Sequence, residues 1–480
     1  MTLQYILIFC IFALLVRLLA RTRLRNHLVF GASLLAIYVL QPASALRTLD
    51  FWLPTFTILL VMFAWAVTAP PEMRSFARNR AAMLIVPGVI LAVALTRYLS
   101  MRGILTPSRP PEITLVLAAL AAGGLAFWLL ARRKQPAGGL LAVAAVFLIV
   151  FFLVLKVPFL GERFSFLWRS LMGQNPSLAS ALEFRWLGFS YIAFRLLHTL
   201  RDRQSGRLPG VSLQEYVIYA LFFPALTAGP IDRLERFLKD LRQPEGEGSR
   251  FENAAGDLLE GGKRLTLGLL KKFVLADGLA LFALSAANLA PNPAAGWLWV
   301  LLYGYTFQIY FDFSGYTDIA IGMGRWLGFN LPENFNRPYL KPNLTQFWNN
   351  WHMTLTQWFR GYFFNPLTRA LRSHKPPMAA AWVILMTQIS TMVLIGLWHG
   401  VTWNFVLWGA WHGLGLFIQN RWSDWTRPLS ARIQQKPLLN RLVTGFTTLL
   451  TLNFVALGWV WFALPTPQLS WQTLLRLFGG

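Results

Sequence analysis

The stretch "GLWHGVTWNFVLWGAWHG", residues 396–413, holds two of the chain's six histidines in a run otherwise made of tryptophan, glycine and aliphatic residues. Ionisable side chains in such surroundings are rare and usually face a cavity or a partner. His399 stands midway through the apolar stretch 378–419, at the Trp-His-Gly where two helices would meet. Two roles are open to it. A core histidine would hydrogen-bond across helices, whereas a neutral imidazole in a partly dry site is a good general base near pH 7. Gly396 and Gly400 flank it and permit close backbone approach by another group. His412 lies thirteen positions later, about 220° around an ideal helix, so the two histidines do not share one face. Packing explains His412 better. With a single cysteine, Cys10, and no His-x-x-x-His pair, no metal site is expected.

His352 lies in "FWNNWHMTLTQWFR", where it is either part of an aromatic anchor at a membrane interface or a second functional imidazole. Asp312 and Asp318, in "YFDFSGYTDIAIGMG" (310–324), are unusual because an apolar helix has just run into them. They suit helix caps, hydrogen-bond hubs or one wall of a polar pocket. Arg195, inside the apolar run 184–200, would snorkel or pair with a carboxylate. Neither a P-loop, a Gly-rich dinucleotide fingerprint nor a G-x-S-x-G elbow occurs.

The elements that must position these residues are read from composition. Hydrophobic residues make up 55% of the 480 and charged residues only 13%, about half the charged share of a soluble domain. Apolar runs recur near 2–20, 28–46, 51–70, 81–96, 113–131, 138–155, 184–200, 273–289, 297–315, 378–397, 401–419 and 442–464. Each can cross a hydrocarbon core about 30 Å thick as a helix. The expectation is an all-α polytopic membrane protein with about 11–12 transmembrane helices. The excess of 44 Lys and Arg over 20 Asp and Glu fits cytoplasmic loops and anionic lipid headgroups rather than nucleic acid. The connections "RTRLRNH", "PEMRSFARNR", "ARRKQP" and "RDRQSGR" are all basic, which puts them inside and the N-terminus outside. Residues 212–233, broken by Pro224, Gly229 and Pro230, read as re-entrant or interfacial, and "PEGEGSR" as a surface excursion. Residues 331–377 read as helices lying in or dipping from the cytoplasmic interface.

Three stretches together resemble the membrane-bound O-acyltransferase (MBOAT) family: "FDFSGYTDIAIGMGRWLGFNLPENFNRPY", "FWNNWHMTLTQWFRGYFFNPL" and "GLWHGVTWNFVLWGAWHG". Upstream, "LGFSYIAFRLLHTL" and "FFPALTAGPIDR" follow the order of the family's bacterial branch, which includes proteins of alginate O-acetylation and of teichoic acid D-alanylation. The resemblance covers about 185–420 and divides one integral membrane domain into N-terminal helices (1–180), a core (181–425) and a C-terminal helix and tail (426–480). It implies a ring of helices around a central funnel. The family's principal histidine falls on His399 and its second on His352, with Trp348, Trp351, Trp358 and Arg360 in matching positions. Where the pattern reads Arg-Asp-Tyr and Pro-Leu-Gly-Gly, this chain has Arg360-Gly361-Tyr362 and Pro366-Leu367-Thr368-Arg369.

The resemblance further implies an acyltransferase in a bacterial inner membrane. It would move an acyl group from a cytoplasmic thioester, acetyl-CoA or an acyl-carrier thioester, to hydroxyls of an extracytoplasmic polysaccharide. Transfer would be direct or through a periplasmic or membrane-anchored partner protein, with no tightly bound cofactor. An excess of Arg (35) over Lys (9) points to a GC-rich genome and favours acetyl over D-alanyl. His399 is then expected as the base and His352 as a group that orients the thioester or donates to its carbonyl. Asn349, Trp348, Trp351, Arg360, Asp312, Asp318, Trp398 and Trp403 are candidates for holding the donor. The rival class is a polysaccharide or lipid transporter subunit.

Overall fold

The computed structural model describes residues 2–19, 22–99, 103, 105–133, 138–243 and 254–480. Among them there are helices and turns but no strand, and the extended pairing is one isolated antiparallel bridge, Phe335 with Trp351. "PEGEGSR" lies outside the described residues, as do residue 21 and residues 134–136 of the basic connections.

Among the described residues, five helices are long and apolar enough to cross a membrane: Leu49–Thr68, Phe76–Leu95, Ile113–Ala131, Ala380–His399 and Pro437–Ala463. A sixth span arises if Gly139–Leu153 and Pro158–Leu171, bent by 90°, count as one. Leu3–Leu18 and Leu24–Val39 are apolar but shorter, while the runs 297–315 and 401–419 lie within the long helices Ala295–Trp326 and Trp403–Trp425. The outward faces are apolar. In Ile113–Ala131 only Val116 and Phe127 are buried, while Leu115, Leu117, Leu125 and Leu129 are exposed. Such a face has its natural solvent in lipid.

Two apolar runs differ from a simple span. The run 273–289 is the tail of a helical stretch that starts at Ala254, passes through a π segment at Leu270–Ala276 and stops at Ala280. Chain reversal there is fixed by Leu284 donating its N–H to the Leu301 carbonyl (2.8 Å). Within 212–233, the helix Leu213–Leu221 gives way to a 3-10 turn at Phe223–Ala225, as Pro224 requires.

The contacts group into two compact units, Met1–Lys263 with Ala320–Leu331, and Arg264–Ile319 with Pro332–Gly480. In the first, buried Arg25 donates to the carbonyls of Asp240 (3.2 Å) and Leu241 (3.0 Å). Asp240 in turn accepts from the Asn330 N–H (2.7 Å). Arg195 is buried, and its guanidinium donates to the carbonyls of Ala220 (2.9 Å) and Ala225 (3.0 Å).

In the second unit, Ala380–His399 and Trp403–Trp425 form a tight hairpin. Gly409 lies against the backbone of Met392 and Val393, and Gly413 against Ile389. Small residues allow helices this close without any hydrophobic drive between them in lipid. Gly409→Ala is therefore expected to cost about 1–3 kcal/mol through overpacking. Gly124→Ala, where an added Cβ meets nothing within 4 Å, should be neutral or slightly stabilising. Thermal unfolding in detergent compares the two, and equal shifts would contradict the packing described.

Candidate active site

His352 is placed by a turn whose local causes can be named. Asn343 caps the helix Leu344–Asn350 by accepting from the Gln346 N–H (2.9 Å), and the helix ends in extended backbone at Trp351. His352 then takes a left-handed conformation, φ 44°, which a non-glycine residue holds only when its surroundings impose it. The surroundings come from residues 334–336. Phe335 bridges to Trp351, Asn336 N–H donates to the Asn350 carbonyl (3.1 Å) and Met353 N–H to the Asn334 carbonyl (2.9 Å).

The Asn334 side chain completes the arrangement. Its Oδ1 accepts from Thr354 N–H (3.2 Å) and Thr354 Oγ1 (2.8 Å), and faces His352 Nδ1 at 3.2 Å. An amide oxygen only accepts, so Nδ1 carries the proton and Nε2 is the basic nitrogen of the neutral ring. Phe313 packs edge-on against the ring with centroids 4.6 Å apart. His352 lies between short helices, outside the spans, and burial holds its pKa well below the ordinary value, with the nearby His399 adding to the effect. The ring is neutral across the physiological range.

His399 is the last residue of Ala380–His399 and is half-buried. Its ring sits in an aromatic sleeve of Trp398 (4.4 Å between centroids), Phe462 (4.8 Å), Trp408 (5.9 Å) and Phe405 (6.0 Å). Trp398 is also 6.1 Å from His352, so one indole has an imidazole on either side. The flanking glycines have a steric reason: a Cβ on Gly396 would strike the Phe405 carbonyl, and one on Gly400 the Phe405 ring.

A cavity of about 260 Å³ lies along the helix that ends at His399. On the Ala380–His399 helix it is lined by Gln388, Thr391, Met392 and Ile395, which recur at i, i+3, i+4 and i+7. His399 is the i+11 position of the same series, on the same helix face. Trp348, Asn349 and Arg360 also line the cavity, and Arg360 Nη2 donates to Asn349 Oδ1 at the exposed edge. Six of the sequence candidates fall into two groups: His399, Trp398 and His352 as one cluster of rings, and Trp348 with the Asn349–Arg360 pair in the cavity wall.

The remaining candidates lie elsewhere or have other work. Asp318 is buried and ion-paired with Arg264 (2.7 Å) and Lys271 (2.6 Å), while half-exposed Asp312 pairs with Lys272. The carboxylates meet these cations because Gly268 and Gly315 let the two helices touch backbone to backbone. Asp318→Asn leaves Lys271 facing a neutral amide while Arg264 keeps Glu333, and should lower stability by about 1–3 kcal/mol, read as a fall in thermal midpoint. An unchanged midpoint with altered donor affinity would instead make Asp318 a ligand residue. Trp351 is buried among Phe347, Tyr339 and Trp459, and Trp403 is 73% exposed. His412 is fully buried between Trp348 and Trp408, as packing requires. Among the described residues no three His, Cys, Asp or Glu side chains converge for a metal.

Sequence reasoning missed Asn334, Phe313, Gln388 and Thr391. The last two carried a signal, as polar residues inside an otherwise apolar span; Asn334 sat unremarked in the quoted "LPENFNRPY".

The family model described as MBOAT, membrane-bound O-acyltransferase family, matches residues 140–459, about two thirds of the chain. The chain belongs to the membrane-bound O-acyltransferase family. The MBOAT match extends the recognisable stretch beyond 185–420 at both ends and includes every residue of the cluster. Relatives include the "Probable alginate O-acetylase AlgI" of Azotobacter vinelandii, 33% identical over 61% of this chain and 54% of that protein. The "Teichoic acid D-alanyltransferase" of Streptococcus thermophilus is 31% identical over 58% of this chain and 68% of its own length. The "Peptidoglycan O-acetyltransferase" of Helicobacter pylori is 31% identical over 55% of this chain and 46% of its own. The chain spans about half the length of the alginate and peptidoglycan relatives it matches.

Proposed function

We propose that this MBOAT protein is an O-acyltransferase that moves an acetyl group from a thioester to hydroxyls of an extracytoplasmic polysaccharide. The observation that carries the reading is the paired imidazoles on either side of Trp398, at the end of a helix face that lines a cavity. His399 takes the proton of the acceptor hydroxyl as its oxygen attacks the thioester carbonyl. The C–O bond forms, the C–S bond breaks, and the proton passes from His399 to the departing thiolate. His352, held as the Nδ1–H tautomer by Asn334, supports the site through its basic Nε2 beside Trp398. The aromatic sleeve keeps bulk water from competing as acceptor. The thioester arm occupies the cavity, with Arg360 at its exposed edge suited to a phosphate.

The donor, acetyl-CoA or an acyl-carrier thioester, enters from the cytoplasm, where the basic connections place residues 201–207 and their like. On the same argument the N-terminus lies outside a bacterial inner membrane. The acceptor reading draws on relatives named for alginate and peptidoglycan O-acetylation. D-alanyl transfer is the second reading, favoured by the teichoic acid relative. A membrane-anchored or periplasmic partner that relays the acyl group fits either.

The test compares cells with and without the chain for ester-linked acyl groups on their exported glycans, by mass spectrometry after mild alkaline release. Loss of acetyl esters at unchanged polymer yield is expected. A fall in polymer yield at unchanged ester density would instead identify a transporter subunit.

A further inference from the structure

The helices Trp403–Trp425 and Pro437–Ala463 are in close contact at one level and part below it. Trp411 stacks on Phe454 with centroids 4.8 Å apart and donates Nε1–H to the Phe454 carbonyl (3.1 Å). A Cβ on Gly415 would strike the Phe454 ring and Leu344. The stripes that meet there continue along each helix. Trp411 and Gly415 lead on to Ile418 and Trp422, and Phe454 leads back to Leu450 and Leu439. Continued contact would bury these side chains. Instead Ile418 is 64% exposed, Trp422 59% and Leu450 60%. The two helices therefore leave an apolar wedge between them, with Gly415 at its tip. Its open end has a different chemistry. Residues 421–441 hold five Arg or Lys and one Asp, the composition of a cytoplasmic connection. Asp424 is taken up by Arg421 (2.9 Å) and Arg427 (3.1 Å), while Arg432, Lys436 and Arg441 are exposed. Trp422 and Trp425 meet edge to face, 5.2 Å apart, at the level where indoles sit among lipid headgroups.

We propose that this wedge binds one anionic glycerophospholipid of the inner leaflet, its acyl chains against Ile418, Trp422, Leu439 and Leu450 and its phosphate on Arg432 and Lys436. The occupant must be apolar along most of its length and anionic at one end, which describes such a lipid. A partner's spanning helix fits less well, because helices approach one another in lipid over small residues and this stripe is bulky. Exposed ion pairs alone are weak, so the chains supply the hold and the basic rim the choice of headgroup. The tip of the wedge lies against Leu344, the first residue of the helix that leads to His352. A bound lipid thus braces the element that positions the second imidazole, whichever acyl group the protein transfers.

The experiment titrates the purified chain, stripped of lipid in detergent, with phosphatidylglycerol, phosphatidylcholine or soluble glycerophosphoglycerol. Native mass spectrometry reads binding, and thermal unfolding reads its effect on the fold. Phosphatidylglycerol should bind the wild type in preference to phosphatidylcholine and raise its midpoint. Arg432→Gln together with Lys436→Gln should weaken phosphatidylglycerol about 30-fold. Both residues are exposed, so the midpoint of the stripped protein should not move. Ile418→Ala together with Leu450→Ala should weaken both lipids alike. Equal binding of the two lipids, or wild-type affinity in the charge variant, overturns the headgroup assignment. Glycerophosphoglycerol binding as tightly as the lipid would leave the chains no role and overturn the wedge. A co-purifying polypeptide that phosphatidylglycerol cannot displace, and that Ile418→Ala with Leu450→Ala releases, would give the wedge to a protein partner instead.

Discussion

His399→Ala is expected to lower acyl transfer by about 10²–10⁴-fold, the usual contribution of a general base. The substitution removes the imidazole but leaves what shapes the site. Gly400 still ends the helix, and Phe405, Trp408 and Phe462 still form the sleeve. Because His399 is half-buried, its loss opens a small gap beside Phe462 rather than an enclosed void. The amount of folded protein in the membrane should therefore stay near wild type, and immunoblotting of membranes beside ester analysis of the exported polymer measures both. Near-normal ester content would remove His399 from the mechanism.

Asn334→Leu is expected to cost about 10²-fold in transfer, in the range of a misplaced acid–base group, together with a fall in stability. Asn334 is wholly buried, and a leucine leaves Thr354 N–H, Thr354 Oγ1 and His352 Nδ1–H without their acceptor. Asn334→Asp separates orientation from charge. It keeps the acceptor but places an anion 3.2 Å from Nδ1, which favours the imidazolium. In the wild type, burial holds the His352 pKa well below 6.5. The folded protein thus keeps this ring neutral as pH falls through 6.5, while the unfolded chain takes up the proton. The stability that neutral His352 allows is present above that pH and declines below it. With aspartate at 334 the folded pKa rises, so transfer should fall already as pH drops from 8 to 6. Rate profiles of wild type and variant measure the difference, and superimposable profiles would contradict the Asn334–His352 contact.

Much of the core was legible because its causes are local. Gly396 and Gly400 around His399 marked the break between two apolar helices, and the structure puts the helix end at His399. The pairing of His352 with His399 was legible only through family resemblance, since residues 47 positions apart in sequence meet by tertiary packing. Asp312 and Asp318 stayed ambiguous for the same reason: Lys272, Lys271 and Arg264 are on another helix. The apolar run 273–289 looked like a span because hydropathy does not register where a helix stops. Its end is set by a contact from Leu284 to Leu301 and by the Gly268–Gly315 crossing. Asn334 escaped notice because its meaning depends on a left-handed turn eighteen residues away.

The central claim is that His399 and His352 act as one site, and a double-mutant comparison tests it most directly. Ester content per sugar is measured at matched membrane protein level for His399→Ala, His352→Ala and both together. Residues that work as a unit are strongly non-additive, so the double variant should lose no more than His399→Ala alone. Multiplicative losses would mean that the histidines act separately, and a His399→Ala protein that acylates normally would refute the account.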